Sequence, residues 1–137
     1  MRIAESPFYA DASALVKLVV REPESTALVA AIPLDARIAT SAVSVVEVTR
    51  AVRLSGLEAD LENELADVLG GCTLVDVDSD VLRSASGLTS QTLHPLDAIH
   101  LATAMAIAPA VMYVYDRQLG RAAAALGLTV SAPGAGE

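Results

Sequence analysis

Short apolar runs alternate with helix-length segments along the 137 residues of the chain, and this alternation limits the folds open to it. Strand-like runs fall at 8–10, 37–40 (RIAT), 73–77 (TLVDV), 111–115 (VMYVY) and 128–130 (LTV). Helical spacing fills about 12–20, 24–32, 42–55, 58–69, 79–90, 95–108 and 117–126. Repeated βα units bury one face of each element by aligning strands in parallel and covering them with helices, so the expected class is α/β with a buried, mostly parallel sheet. A chain of this length makes one domain. No linker, repeat or low-complexity tract interrupts it, apart from the closing SAPGAGE, which is expected to fray over about 132–137.

Hydrophobic residues make up 53% and charged residues 19%, which suits a packed core and excludes a disordered chain. Glu5, Ser6 and Pro7 interrupt any leader-like run, and the single cysteine, Cys72, has no partner, so a reducing, cytoplasmic setting is expected with Cys72 as a small buried hydrophobe. The longest apolar stretch, LATAMAIAPAVMYVY, is broken by Pro109 and falls short of the roughly 20 residues that cross a bilayer. The net charge of -8 argues against general polyanion binding. A local group of acids, however, reverses its own preference by holding divalent cations, so the positions of the acids matter more than their sum.

Asp11 ends the first apolar run, in FYADASALVKL, and Asp116 ends the fourth, in VMYVYDRQLGRAAAALG. Both therefore project from the carboxyl ends of parallel strands, the edge at which open α/β sheets bind ligands. Glu47, in TSAVSVVEVTRA, falls near the second helical turn after the second strand if Ser41 caps that helix, and it stands among Val43, Val45, Val46 and Val48. Asp97, in HPLDAIHLATAMA, falls in a first turn if Pro95 takes the first helical position. Three of the acids have an ordinary explanation: Asp11 as an N-cap, Asp97 as a favourable dipole partner worth roughly 0.3 to 1 kcal/mol, Glu47 as a surface glutamate. Together they suggest more, because carboxylates converging on one edge repel unless protons or cations neutralise them. Magnesium takes oxygen ligands and keeps several waters, so a few carboxylates suffice to hold it.

The segments YADASALVKL, SAVSVVEVTRA, LDAIHLATA and VYDRQLGRAAAALGL, taken in this order and spacing, resemble PIN-domain ribonucleases, and most of all the VapC-type toxins of bacterial toxin–antitoxin pairs. The resemblance runs from Tyr9 to about Pro133. It implies a single three-layer α/β/α PIN-like domain over residues 1–137. It also implies catalytic and metal-holding roles for Asp11, Glu47, Asp97 and Asp116, with Mg2+ or Mn2+ as cofactor and Ser13 as a supporting hydroxyl that holds a carboxylate or a water. The implied activity is endoribonucleolytic hydrolysis of RNA, leaving a 5′-phosphate and a 3′-hydroxyl. The implied company is a cognate VapB-like antitoxin and a homodimer or toxin–antitoxin hetero-oligomer, for which the apolar helices around 12–32 and 42–69 offer a groove and a dimer face.

Lys17, Arg50 and Arg117, with Arg21, Arg53 and Arg121, are as a group the candidate contacts for an RNA backbone, although any one of them reads more readily as a solvated helix face. Aromatics are only 3%, which leaves little for base stacking. DVDSD (76–80) imitates a calcium loop but has Val81 and Gly87 where that loop needs glycine and glutamate, so Asp78 is expected to cap the next helix instead. His94 and His100 lack the further ligands that zinc requires; His100, one turn beyond Asp97, reads more readily as a packed or surface histidine. Among rival readings, a haloacid-dehalogenase-like phosphatase wants a second aspartate where Ser13 stands. A receiver-like phosphoacceptor domain would use Asp76 and a lysine after a later strand, but Lys17 is the only lysine. A PIN-like scaffold that binds without cutting is disfavoured by retention of the acids.

Overall fold

The computed structural model describes residues 7–56, 60–90 and 92–136. The elements run β1 (Phe8–Ala10), α1 (Ala12–Val19), α2 (Ser25–Ala31), β2 (Ile38–Ser41), α3 (Val43–Leu54), α4 (Asp60–Gly70), β3 (Thr73–Val75), α5 (Ser79–Ser86), α6 (Pro95–Ile107), β4 (Met112–Tyr113), α7 (Arg117–Ala125) and β5 (Val130–Ser131). The expected order of strands and helices is present, with the start anticipated for α4 at 58 lying partly outside the described residues. Three strands are shorter than their apolar runs, and β5 is also shifted to Val130–Ser131. After β3 and β4 the chain leaves the ladder to reach Asp78 and Asp116, whose side chains accept the Val81 and Leu119 amides and start α5 and α7.

The sheet has five strands in the order β3-β2-β1-β4-β5, and every pairing is parallel. Side-chain alternation decides the layers. Tyr9, Met112 and Val114 pack with Leu101 of α6 and Leu119 of α7 on one face. Ala10 and Tyr113 pack with Leu15, Val48, Val52 and Leu65 of α1, α3 and α4 on the other. The result is a three-layer α/β/α domain in which β1 is buried on both sides.

From β1 the chain steps outward to β2 and β3, then returns past β1 to β4 and β5, so the topology reverses between β1 and β4. Asp11 and Asp116 follow these two strands directly, and the Asp11 amide bonds the Tyr113 carbonyl at 3.2 Å. The helix α3 leaves from the carboxyl end of β2, and α6, which runs back to the start of β4, begins at that same edge. Four segments of distant sequence are thereby delivered to one rim.

The tail from 132, expected to fray, lies against the start of α2. The Tyr115 hydroxyl donates to the Pro133 carbonyl at 2.7 Å, and Gly134, at φ +82, comes so near that a Cβ there would stand 2.8 Å from the Cβ of Ala27. Among the described residues no helix is long and apolar enough to cross a membrane.

Candidate active site

Asp11 combines two roles at the end of β1. Its Oδ1 accepts the Ala14 amide at 3.1 Å as the N-cap of α1 and the Ser13 hydroxyl at 2.6 Å. The residue is only 4% exposed, and burial pushes its carboxyl up to about 6. Hydrogen bonds from Ser13 and Ala14 and the nearby His100 oppose that rise, while the neighbouring Glu47 adds to it. Ser13 extends the link, because its oxygen also accepts the Tyr115 amide at 3.0 Å and so ties Asp11 to the turn that carries Asp116.

Glu47 projects from α3 and its Oε1 bonds Nε2 of His100 on α6 at 2.7 Å. The other ring nitrogen, Nδ1, bonds the Tyr9 hydroxyl at 2.7 Å, and that hydroxyl also accepts the Ser41 amide at 3.1 Å. His100 is 2% exposed, and the Tyr9 phenol is held far above its ordinary range, chiefly by burial. From the sequence, His100 reads more readily as a packed or surface residue than as one facing the site, and Tyr9 is not singled out. The available signal was the helix itself: Ala98 and the whole run His100–Ala104 are buried, and an imidazole in so apolar a helix must find polar partners. Ser41, expected to cap α3, instead ends β2; Ala42 takes the capping position, and the Ser41 hydroxyl accepts the Val43 amide at 3.2 Å from one residue earlier. The reason is the parallel ladder, which holds Ser41 opposite Val75.

Asp97 and Asp116 also sit at helix starts. Asp97 Oδ2 accepts the His94 amide at 3.3 Å, and Asp116 Oδ1 accepts the Leu119 amide at 2.9 Å. Each of the four acids thus commits one oxygen to a protein donor and keeps the other without a protein partner among the described residues. No buried side-chain polar atom is left unpaired among those residues, so the second oxygens reach solvent. Asp11 and Glu47 are near enough to feel each other's charge, Ser13 couples Asp11 to the segment of Asp116, and Asp97 stands one turn before His100 on α6. The four lie on segments that reach one edge of the sheet, yet among the described residues no three acidic, histidine or cysteine side chains stand as a preformed metal-ligand set. The donors nonetheless suit a hard divalent cation. They are oxygens only, because His100 is spent on Tyr9 and Glu47, and Asp11 is held high chiefly by burial, with a smaller contribution from Glu47.

The candidate rim cations divide. The Lys17 ammonium bonds Glu22 at 3.1 Å and Glu24 at 2.9 Å, lies 4.7 Å from the ring centroid of Tyr115 and is therefore occupied within the protein. Arg53 pairs with Glu62 at 3.0 Å. Arg21, Arg50, Arg117 and Arg121 are exposed and have no carboxylate partner among the described residues. A cavity of about 330 Å³ beside Asp116 is lined by Arg117 and Arg121 of α7 together with Tyr115 and Ser131.

Asp78 caps α5, as its spacing predicts, and Cys72 is half-buried with its thiol against the Val68 carbonyl. His94 is exposed. Asp76 follows β3, which is an edge strand in this sheet. In the 2-1-3-4-5 order of flavodoxin-like domains the third strand is central, so the receiver reading loses its geometry here.

The family model for the PIN domain matches residues 8–125. Ribonuclease VapC46 of Mycobacterium tuberculosis is 41% identical over 127 residues, covering 91% of this chain and 96% of the relative. Among solved structures, the Sarcin-Ricin loop cleaving toxin VapC20 of Mycobacterium tuberculosis superposes with a TM-score of 0.69 at 15% identity, covering 89% of this chain and 96% of that one. A chain of VapBC2 from Rickettsia felis, bound to a DNA fragment from their promoter, gives 0.67 at 15% identity, covering 90% and 97%.

Proposed function

The chain belongs to the PIN domain family, among its VapC-type members, and from that footing we propose that it is a metal-dependent endoribonuclease toxin hydrolysing RNA phosphodiester bonds. One observation carries the reading: the Asp11 carboxylate is buried at the topological reversal, raised by that burial, and keeps one oxygen open beside Glu47. Asp11, Glu47, Asp97 and Asp116 are the residues we assign to hold Mg2+, with Mn2+ as the alternative. When bound, a divalent ion supplies a water acidified enough to act as hydroxide near neutral pH, and positive charge for the phosphate.

The remaining work belongs to the chain. Ser13 and the Ala14 amide fix the rotamer of Asp11, the Leu119 amide fixes Asp116, the His94 amide restrains Asp97, and His100 holds Glu47. Carboxylates already held in place need no reorganisation when the substrate arrives. Arg50, one turn from Glu47, and Arg117, next to Asp116, are the phosphate contacts this reading favours, whereas Lys17 is committed to Glu22 and Glu24.

The similarity to a chain of VapBC2 supports a cognate VapB-like antitoxin as partner, in a homodimer or a toxin–antitoxin hetero-oligomer. A groove of about 670 Å³ between α1, α2 and α4, floored by Val19, Val20, Val29 and Leu61, suits an apolar peptide segment.

The test incubates the purified chain with structured RNAs, with EDTA, Mg2+ or Mn2+, beside Asp11→Asn and Asp97→Asn chains shown to be folded. Cleavage that requires metal, is lost in both variants and leaves 5′-phosphate and 3′-hydroxyl ends is expected. Metal-independent cleavage, or 2′,3′-cyclic phosphate ends, which arise when the 2′-hydroxyl attacks in place of water, would overturn it.

A further inference from the structure

A line of hydrogen bonds crosses the domain from one helical layer to the other. The Ser41 amide donates to the Tyr9 hydroxyl at 3.1 Å, the hydroxyl meets Nδ1 of His100 at 2.7 Å, and Nε2 of His100 meets Oε1 of Glu47 at 2.7 Å. Tyr9 is 0% exposed and His100 is 2% exposed, so neither partner is exchanged for water. His100 belongs to the helix packed on one face of the sheet, whereas Val48, next to Glu47, packs on the other. The Glu47–His100 contact therefore spans the sheet edge.

The chemistry of the two ends fixes the ring. A glutamate carboxylate only accepts, so Nε2 must carry a proton to bond it. In the neutral imidazole Nδ1 is then the acceptor, and the Tyr9 hydroxyl, whose oxygen already takes the Ser41 amide, has its proton to give. One tautomer satisfies every atom in the line. A histidine that merely filled space would leave Glu47 free, and a glutamate side chain on a helix surface loses rotamer entropy when fixed. Here the ring N–H fixes one oxygen and leaves the second without a protein partner among the described residues, on a side chain near enough to Asp11 to feel its charge.

We infer that His100, with its tautomer set by Tyr9, is a positioning residue that orients the Glu47 carboxylate towards the metal-holding rim. This rests on the metal-dependent reading above. Partners of this kind behind a ligand raise affinity by holding it in its bound geometry, and losing one costs about 10- to 100-fold.

Two measurements on the 137-residue chain test the inference. Long-range 1H–15N correlation of the histidine rings in metal-free protein should show His100 with its single proton on Nε2; a ring protonated only on Nδ1, or on both nitrogens, overturns the assignment. Calorimetric titration with Mn2+ alone should give His100→Leu an affinity lower by about 10- to 100-fold, with most of it restored in His100→Gln, whose amide N–H2 can still reach Glu47. Unchanged affinity in a folded His100→Leu chain, or equal weakening in the Leu and Gln variants, overturns the positioning role. If His100→Leu does not fold, Tyr9→Phe keeps the ring volume and should weaken Mn2+ in the same direction; no change there overturns the role of Tyr9. An unsubstituted chain that binds no Mn2+ overturns the metal reading itself, an outcome the tautomer measurement separates because it needs no metal.

Discussion

Ser13 donates to Asp11 at 2.6 Å while accepting the Tyr115 amide at 3.0 Å, so one hydroxyl joins the end of β1 to the turn that carries Asp116. Removing it leaves the Tyr115 N–H without its partner and lets Asp11 leave its rotamer. Ser13→Ala should lose about 1 to 3 kcal/mol in urea denaturation and cleave RNA more slowly, and Ser13→Thr should recover much of both. A Ser13→Ala chain equal to the unsubstituted one in both respects contradicts the link.

The raised carboxyl of Asp11 makes stability depend on pH in a definite direction. It ionises near its ordinary 3.8 in the unfolded chain and at about 6 when folded. Between those values the folded state holds a proton that the unfolded state lacks, so stability falls as pH rises through the window and the loss is complete above about 6. The size is about 3 kcal/mol at most, from roughly two units at 1.36 kcal/mol each. In EDTA, Asp11→Asn should therefore be more stable than the unsubstituted chain above pH 6, with the gap closing towards pH 4. Mg2+ or Mn2+ should narrow the gap at high pH by stabilising only the chain that keeps the carboxylate. Urea midpoints for both chains across pH 4 to 8 decide it, and a less stable Asp11→Asn at pH 7.5 in EDTA goes against it.

Asp116 allows its charge and its cap to be separated. Asparagine caps a helix about as well as aspartate, so Asp116→Asn should stay within a few tenths of a kcal/mol in stability and yet lose at least about tenfold in cleavage rate. Asp116→Ala should lose a further 0.5 to 2 kcal/mol, roughly, because the Leu119 amide then has no acceptor. Thermal unfolding and cleavage rates on the same preparations compare the two; a fully active Asp116→Asn chain removes Asp116 from the site.

RNA binding by the non-cleaving Asp11→Asn chain, followed against salt, distinguishes the rim cations. Substituting Arg117 or Arg50 with alanine should shallow the log–log salt slope by about 0.7 for each single-strand phosphate that the arginine neutralises. Lys17→Ala should leave the slope alone and lower stability instead, since its ammonium is held by Glu22 and Glu24 under the Tyr115 ring. Equal slope changes for Lys17 and Arg117 would argue that the lysine leaves its carboxylates to meet RNA.

The ordinary reading of Asp11 holds: it accepts the Ala14 amide as the cap of α1, and the structure adds the same role for Asp116, while Asp97 accepts the His94 amide just before α6. The Asp11 cap was legible because capping is a local property: the donor lies three residues from the acceptor whatever the rest of the chain does. Glu47 was half legible. Its valine-rich surroundings said that it needed a partner, but the partner, His100, lies 53 residues away on a helix of the opposite layer. The pairing of Lys17 with Glu22 and Glu24 was local as well, yet it rests on the chain turning after Val19 and on the Tyr115 ring arriving from beyond β4.

By itself the sequence determined the α/β class, the order of the elements, the parallel sheet and the placement of acids after strands and in first helical turns, because periodicity, caps and breakers act within a few residues. Only the tertiary structure decided the strand order β3-β2-β1-β4-β5, which basic side chains find a carboxylate partner among the described residues, and that a tyrosine and a histidine sit behind Glu47. Those outcomes depend on which surfaces bury together, and burial is a property of segments that meet in space while lying far apart in the chain.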